Sequence, residues 1–518
     1  MKQLDLLLIN PGGREKIYQI LAKEFSAIEP PVWAGLMATF VRKKGYSVQI
    51  LDADALCLSP EEVATVVAEL NPTLTAVVIY GQQPSASTQN MPGGGATCSA
   101  IKDREPNRKI LMIGGHVAAL PERTLREEDV DFVAQGEGLY TLTDLIEALK
   151  TGQNEELKKV RGLMYWEGDV IKVNDIPPNV KNLDEEIPGI AWDLLPMDRY
   201  RAHNWHCFDG LKREPYVAIY TTLGCPFKCT FCCIQAPFKA GEKVQGLNEK
   251  INSYRFWSPD TVLADIDILV NEYGVRNIKF ADEMFVLNRK HVLGIAERIM
   301  ERGYDLNIWA YARIDTVKEG MVEPLKKAGI NWFAFGIESG NARVRNEVDK
   351  GLDQESIYKV VREVQAGGIN VIGNYIFGLP EDDNASMQDT LSLALELNCE
   401  MGNFYSTMAY PGSPLYRQAL AEGWELPKNW SGFSQHSIDT FPLRTKYLTS
   451  GEVLAFRDKA FYTYSTSPTY LNMIKAKFGE ETLKHVKKMT EHKLIREHVP
   501  KSLRDVRVHE EVSAPQMI

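Results

Sequence analysis

No apolar run in this chain reaches the ~20 residues that a membrane-spanning helix needs, so a helical anchor is not expected. The opening residues, Met1 to Pro11, are too short for a signal peptide and offer no cleavage site; they read as a first strand, and the chain as cytoplasmic. Cysteine is sparse, eight residues of which three are clustered, so no disulfide framework is expected and a reducing compartment fits. Positive charge is in deficit: 59 Lys and Arg face 69 Asp and Glu, and the net charge of −10 argues against general nucleic-acid binding. The stretch from Lys475 to Arg507 is a basic exception, read as a solvated helical face rather than a nucleic-acid arm. Also missing is a GxGxxG after the first strand, which disfavours a nicotinamide or flavin dinucleotide site.

What is present is a globular composition, 44% hydrophobic and 25% charged, in 518 residues, a length too great for one ordinary core. Residues 1–150 alternate short apolar strands (4–9, 47–51, 75–80, 109–113, 131–134) with helical patterns such as 32–44 and 59–70. In the latter, Ser59, Pro60 and Glu62 form a helix-start signature. Such alternation predicts an α/β domain with a doubly wound parallel sheet, which binds ligands at the carboxyl ends of its strands. Those ends hold Asn10-Pro11-Gly12-Gly13, Tyr80-Gly81-Gln82-Gln83-Pro84-Ser85, Gly114-Gly115-His116 and Gln135-Gly136-Glu137-Gly138. Glycine there lets a large flat ligand approach the backbone.

Residues 151–212 carry proline-rich turns and no clean repeat, and read as a connector; His203, His206 and Cys207 within it read as solvated loop residues rather than a metal site. From 213 to 440 the alternation returns, with strands expected at 216–222, 277–281, 307–311, 332–337, 370–377 and 402–408, a partial parallel barrel of six units. Residues 441–518 read as a mostly helical tail.

Directly after the first barrel strand stands Gly224-Cys225-Pro226-Phe227-Lys228-Cys229-Thr230-Phe231-Cys232, a CxxxCxxC loop. Three thiolates can hold three irons of a [4Fe-4S] cube and leave the fourth open to a small molecule. Structural zinc needs four ligands, usually in two pairs, and no second pair follows at a suitable distance; Cys233 reads as a small core residue.

This loop resembles the signature of the radical S-adenosylmethionine enzymes, and Phe231 before the last cysteine fits it. The first domain resembles the cobalamin-binding Rossmann-like domain of their class B type, in which Gly-Gly-x-His and Gly-Glu-Gly loops recur. The resemblance implies a Rossmann-like cobalamin domain, a partial (β/α)6 TIM-like radical core, and three cofactors: the [4Fe-4S] cluster, S-adenosylmethionine and cobalamin. For S-adenosylmethionine it implies Phe231, Asp282 and Glu283, Arg313, Glu338 and Ser339, and Ile376 and Gly378. For cobalamin it implies Asn10, Gly12, Tyr80, Gly81, Gln82, Gln83, Ser85, Gly114, Gly115, His116, Gly136 and Glu137. The chain has no DxHxxG, so cobalt is expected to lack a histidine ligand, with His116 serving its own loop.

The activity implied is a methyltransferase acting on an unactivated carbon or a phosphorus through a 5'-deoxyadenosyl radical and methylcobalamin. The alternative is a cobalamin-dependent cyclase or rearrangement enzyme. A methylthiotransferase would need three more cysteines in the first domain, where only Cys57 and Cys98 lie. A cobalamin carrier without catalysis would not need the cluster loop. Expected partners are a small-molecule substrate and a one-electron reductant such as flavodoxin or ferredoxin.

Overall fold

The computed structural model describes residues 3–81, 83–348 and 350–503. Its first sheet contains β1 (Leu6–Asn10), β2 (Val48–Asp52), β3 (Leu74–Ile79), β4 (Ile110–Gly114), β5 (Phe132–Ala134), β6 (Leu163–Glu167) and β7 (Val170–Val173), in the order 2-1-3-4-5-6-7. The first five are parallel and mostly buried, because helices cover both faces, with Gln49 of the edge strand β2 exposed. The helix Pro60–Leu70 begins as its sequence predicts: Glu62 N donates to Ser59 Oγ and Ser59 N to the Glu62 carboxylate.

One feature departs from the sequence reading and another from local propensity. β6 and β7 form an antiparallel hairpin on the sheet edge within the stretch read as a connector. They turn at Gly168 with no intervening helix, so strand-helix alternation does not reveal them. The other is the helix Ala86–Arg104, which runs through Pro92-Gly93-Gly94-Gly95, residues that locally favour a break. Packing requires the glycines: a Cβ on Gly93 would lie 2.0 Å from Gly12 O, and one on Gly94 2.4 Å from the Ile79 side chain.

The second sheet holds β8 (Tyr216–Ile219), β11 (Asn277–Phe280), β12 (Asn307–Ala312), β13 (Ile330–Glu338), β14 (Asn370–Phe377) and β15 (Met401–Ser406), all parallel, in the order 15-14-13-12-11-8. Between β8 and β11, β9 (Thr222–Leu223) and β10 (Arg255–Phe256) pair antiparallel beside the cysteine loop. Helices such as Pro259–Tyr273, capped by Ser258 and stopped by Gly274, connect the strands. The barrel is therefore open between β15 and β8. Side chains cover the free edge: Arg457 Nε donates to Phe404 O at 2.7 Å, Tyr464 OH to Cys399 O at 2.5 Å, and Tyr470 OH to Glu400 O at 3.2 Å. The Gln435 amide brackets Ser406, accepting from its N–H and donating to its carbonyl. These groups come from the region after the barrel, including the helices Ser450–Thr466 and Pro468–Glu491. Among the described residues no helix is long and apolar enough to cross a membrane.

The stretch between the sheets ties one to the other. Trp192 Nε1 donates to Asp265 Oδ1 on the helix Pro259–Tyr273 at 2.7 Å. Burial raises the Asp265 carboxyl to about 7, against the opposing pull of that hydrogen bond. The folded chain thus holds a proton that the unfolded chain releases near pH 4, so this group's contribution falls as pH rises from about 4 to about 7. Asp265→Asn should remove that loss: the variant's urea midpoint should gain on the parent's across this interval, by at most a few kcal/mol at roughly 1.4 kcal/mol per pKa unit, and run parallel above it.

Candidate functional site

The cysteine loop leaves β9 at the carboxyl end of the barrel. Gly224 turns it at φ +86, where a Cβ would lie 2.4 Å from Ser253 O. Asn252 Nδ2 clamps it by donating to Cys225 O and Phe227 O at 3.0 and 2.7 Å. Cys225 is buried, and Cys229 and Cys232 are half-buried. Burial pushes the Cys225 thiol up to about 12 and the Cys232 thiol well above its ordinary value. Thiols so desolvated become good thiolate ligands only with positive charge at the sulfurs. One source is present: the Arg313 guanidinium lies 4.0 Å from the Phe227 ring centre, with Nη1 3.9 Å from Cys229 Sγ. Among the described residues no three His, Cys, Asp or Glu side chains converge on a single-ion site, the arrangement mononuclear zinc requires. The donor set fits a cluster that takes one thiolate per iron.

Around this loop the barrel strand ends gather most of the residues expected for S-adenosylmethionine. Glu283, past β11, is half-buried, yet its Oε1 is covered and has no hydrogen-bond partner. Such a carboxylate is a ready acceptor for an ammonium. Neighbouring Asp282 is committed elsewhere: its carboxylate accepts from Thr221 N and Oγ1 and splices the end of β8 to that of β11. Glu338 sits at φ +66, a conformation rare outside glycine, and accepts from Lys350 Nζ at 2.6 Å with both side chains buried. Lys350 also accepts from Arg313 Nη2 through its backbone carbonyl at 2.7 Å, and its charge interacts with that of Cys229, a role no local motif announces. Ser339 turns away to Thr390 and Asn341 N. Phe231 and Ile376 pack against one apolar cluster of Val344, Val348 and Leu379. Gly378 lies at the far side, where a Cβ would meet Val453 at 2.4 Å.

The first sheet turns its strand ends toward this mouth. β1 and β3 flank the point where strand order reverses, the usual ligand crevice of such sheets. A small cavity there is lined by Asn10, Gly12, Trp33, Tyr80 and Gly81. A second joins the sheets, with Gly81, Gln83, Ser87 and Gly115 on one side and Glu283 and Cys233 on the other. The glycines are structural necessities: a Cβ on Gly114 would lie 1.9 Å from Ile79 O, and Gly81 and Gly136 sit at φ +72 and +74. They form a cradle without side chains, which suits a macrocycle. His116 is buried, bonded through Nδ1 to Thr88 Oγ1 at 3.1 Å and held neutral, its pKa lowered by burial to about 3. The contact ties its ring to the helix Ala86–Arg104. Asn10 is spent on Asp52, while Glu137 pairs with Arg255 at 2.5 Å and accepts from Val180 N, so both brace the fold. Ser85 precedes the helix Ala86–Arg104 without capping it; Gln82 lies outside the described residues. Sequence reading missed Trp33, whose ring stacks on Tyr80 at 4.1 Å from the start of the helix Val32–Lys43.

A cavity of 1190 Å³ continues from here into the barrel, reaching Gln83 and Gln89 of the first domain, Lys279, Trp309, Tyr311 and Asn374 of the strands, and Arg457 and Arg496 beyond them. Lys279 and Glu29 meet in its wall at 3.0 Å, both side chains almost fully buried, and join the first domain to β11. His203 Nε2 stands 3.7 Å from Glu29. His206 is fully buried and Cys207 nearly so. His206 and Cys207 are therefore not the solvated loop residues expected, whereas His203 keeps about a third of its side chain exposed. Lys279→Met should destabilise the chain by about 3–5 kcal/mol, because it leaves Glu29 buried without this cation. Adding Glu29→Gln should recover most of the loss in a double-mutant cycle read by chemical denaturation.

Residues 219–394 match the Radical SAM superfamily and residues 18–146 match the B12 binding domain, together more than half of the chain. An uncharacterised methyltransferase of Pyrococcus horikoshii is 29% identical over 472 residues, 91% of this chain and 94% of its own length. The anaerobic magnesium-protoporphyrin IX monomethyl ester cyclase of Cereibacter sphaeroides is 24% identical over 83% of this chain and 66% of its own. The solved structure of TsrM from Kitasatospora setae, a radical S-adenosylmethionine methyltransferase with cobalamin and a [4Fe-4S] cluster bound, superposes with a TM-score of 0.65 at 14% identity, covering 94% of this chain and all of that one. With the cysteine loop at the mouth of an open barrel and a glycine-lined sheet facing it, the chain belongs to the radical S-adenosylmethionine superfamily, among the members that carry a B12-binding domain.

Proposed function

We propose that the chain is a cobalamin-dependent radical S-adenosylmethionine methyltransferase that methylates an unactivated carbon or a phosphorus centre. The observation that carries this reading is the shared pocket in which Gly81, Ser87 and Gly115 of the first domain face Glu283 and Cys233 of the barrel. Two cofactor sites that open into one space suit a reaction in which a substrate is activated from one side and methylated from the other. When bound, the cluster and S-adenosylmethionine supply one-electron chemistry that abstracts hydrogen, and methylcobalamin supplies the methyl group.

The protein's part is positioning and exclusion of water. Cys225, Cys229 and Cys232 would hold three irons. The free oxygen of Glu283 would accept the ammonium of S-adenosylmethionine, and Arg313 would meet its carboxylate or offset the charge of the thiolates. Phe231 and Ile376 would border the adenine. Trp309, Tyr311 and Tyr405 form part of the wall of the adjoining cavity; burial keeps the Tyr311 and Tyr405 phenols protonated, so these three rings present neutral surface to a reactive carbon. The electron would come from a flavodoxin or ferredoxin.

The cyclase named among the relatives favours a second reading, the same activation followed by ring closure without methyl transfer. Anaerobic reconstitution with iron, sulfide and methylcobalamin tests both. Under the leading reading the protein binds four irons and one cobalamin, releases 5'-deoxyadenosine, and adds a methyl mass to its product; 5'-deoxyadenosine without that mass points to cyclisation. Neither cobalt nor 5'-deoxyadenosine in the reconstituted protein would sink both readings. Cys229→Ala should lose the iron-sulfur absorption and all 5'-deoxyadenosine release while keeping its cobalt.

A further inference from the structure

Resting on that reading of the site, we propose that the substrate is a large, mainly apolar molecule carrying one oxyanion, a carboxylate or phosphoryl group, which docks on the Arg457 and Arg496 guanidinium pair. At 1190 Å³ the cavity is far larger than a small polar metabolite fills. Rings form much of its wall, among them Trp205, Trp309, Tyr311, Phe404 and Phe456, and Glu452, Lys459, Glu491 and Lys493 add charged groups of both signs. The charged groups in these walls divide unevenly. Lys279 and Glu29 neutralise each other. At the end formed by the region after the barrel, two buried guanidiniums share one carboxylate.

Arg496 grips Asp458 with Nε and Nη2, both at 2.9 Å, and donates from Nη1 to Thr440 Oγ1. Arg457 donates to the same carboxylate at 2.8 Å, to Phe404 O, and to His436 Nε2 at a long 3.4 Å. Burial, with both guanidiniums close by, holds His436 neutral. Among the described residues Asp458 is the one carboxylate bonded to the pair, so within them two guanidiniums share a single bonded anion, while Glu452 and Glu491 line the cavity without a bond to either. Each Arg457 nitrogen has one partner, and its two terminal nitrogens each carry a second N–H available to a ligand. A buried charge without a counterion is costly, and a planar oxyanion is the ligand whose geometry a guanidinium matches. Arg496 reaches the wall from the irregular segment after the helix Pro468–Glu491. The Gln19 side chain fixes that segment, donating to Ile495 O and accepting from Ile495 N, both at 3.1 Å.

Isothermal titration of the reconstituted protein, and of protein prepared without cobalamin, with 2-naphthoate, 2-naphthyl phosphate and 2-naphthol tests the assignment. One or both anions should bind at least tenfold tighter than the neutral naphthol, and the better of the two distinguishes a carboxylate from a phosphoryl anchor. Arg457→Gln should remove that advantage and leave naphthol binding unchanged, Arg457→Lys should keep part of it, and Asp458→Asn should increase it. Thermal midpoints identify any variant that fails to fold. Should Arg457→Gln do so, Arg496→Gln and Asp458→Asn, whose effects run in opposite directions, decide the matter. Equal affinity for the three probes, or equal weakening of all three in the variants, overturns the anion site. An anion preference in protein that takes up no cobalt when reconstituted with methylcobalamin would sink the methyltransferase reading while leaving the site in place, whereas full cofactor loading without preference removes the anchor alone.

Discussion

A parallel barrel that stops at six strands leaves backbone groups of β15 without a ladder partner, and each one buried unsatisfied would cost roughly 1–3 kcal/mol. Much of the molecule answers that need. From the last long helices Arg457 reaches Phe404 of the strand, and Tyr464 and Tyr470 reach Cys399 and Glu400 just before it, while Gln435 brackets Ser406 from the loop before those helices. Because side chains rather than a further strand complete the edge, the lumen opens sideways. The cavity that results is bounded by parts of the chain distant in sequence, with the segment around Tyr18 on one flank and that around Arg496 on the other.

The mouth of the barrel is governed by charge. Thiols at Cys225 and Cys232 sit where burial opposes ionisation, and two cations, Arg313 and Lys350, act on Cys229 through their charge. Each is tethered by a carboxylate of its own, Arg313 by Asp315 and Lys350 by Glu338. Tethering keeps them from collapsing onto the thiols and leaves Glu283 as the acid with an unclaimed oxygen. Acids that look alike in sequence have therefore diverged: Asp282 splices two strands, Glu137 anchors Arg255, and Glu283 faces the pocket.

Much of this was legible in the amino-acid order. The five parallel strands of the first sheet and the six of the barrel lie within a few residues of their apolar runs, since a strand buried on both faces has to be apolar throughout. The caps at Ser59 and Ser258 were legible because a helix start is a local event. What escaped was decided by tertiary packing. Pro92-Gly93-Gly94-Gly95 breaks helices on propensity and is helical here because only glycine lets that helix touch Gly12. The β6–β7 hairpin carries no helix to punctuate it. His206 and Cys207 looked like loop polarity and are buried under the barrel floor. Lys350, Trp33 and the Arg457–Asp458–Arg496 cluster could not be found in order alone, because their partners lie on other elements.

The clasp between Gln19 and Ile495 joins groups from opposite ends of the chain. The two partners stand 476 residues apart, so this contact closes a loop that takes in both sheets and forms only after nearly all of the described chain has been made.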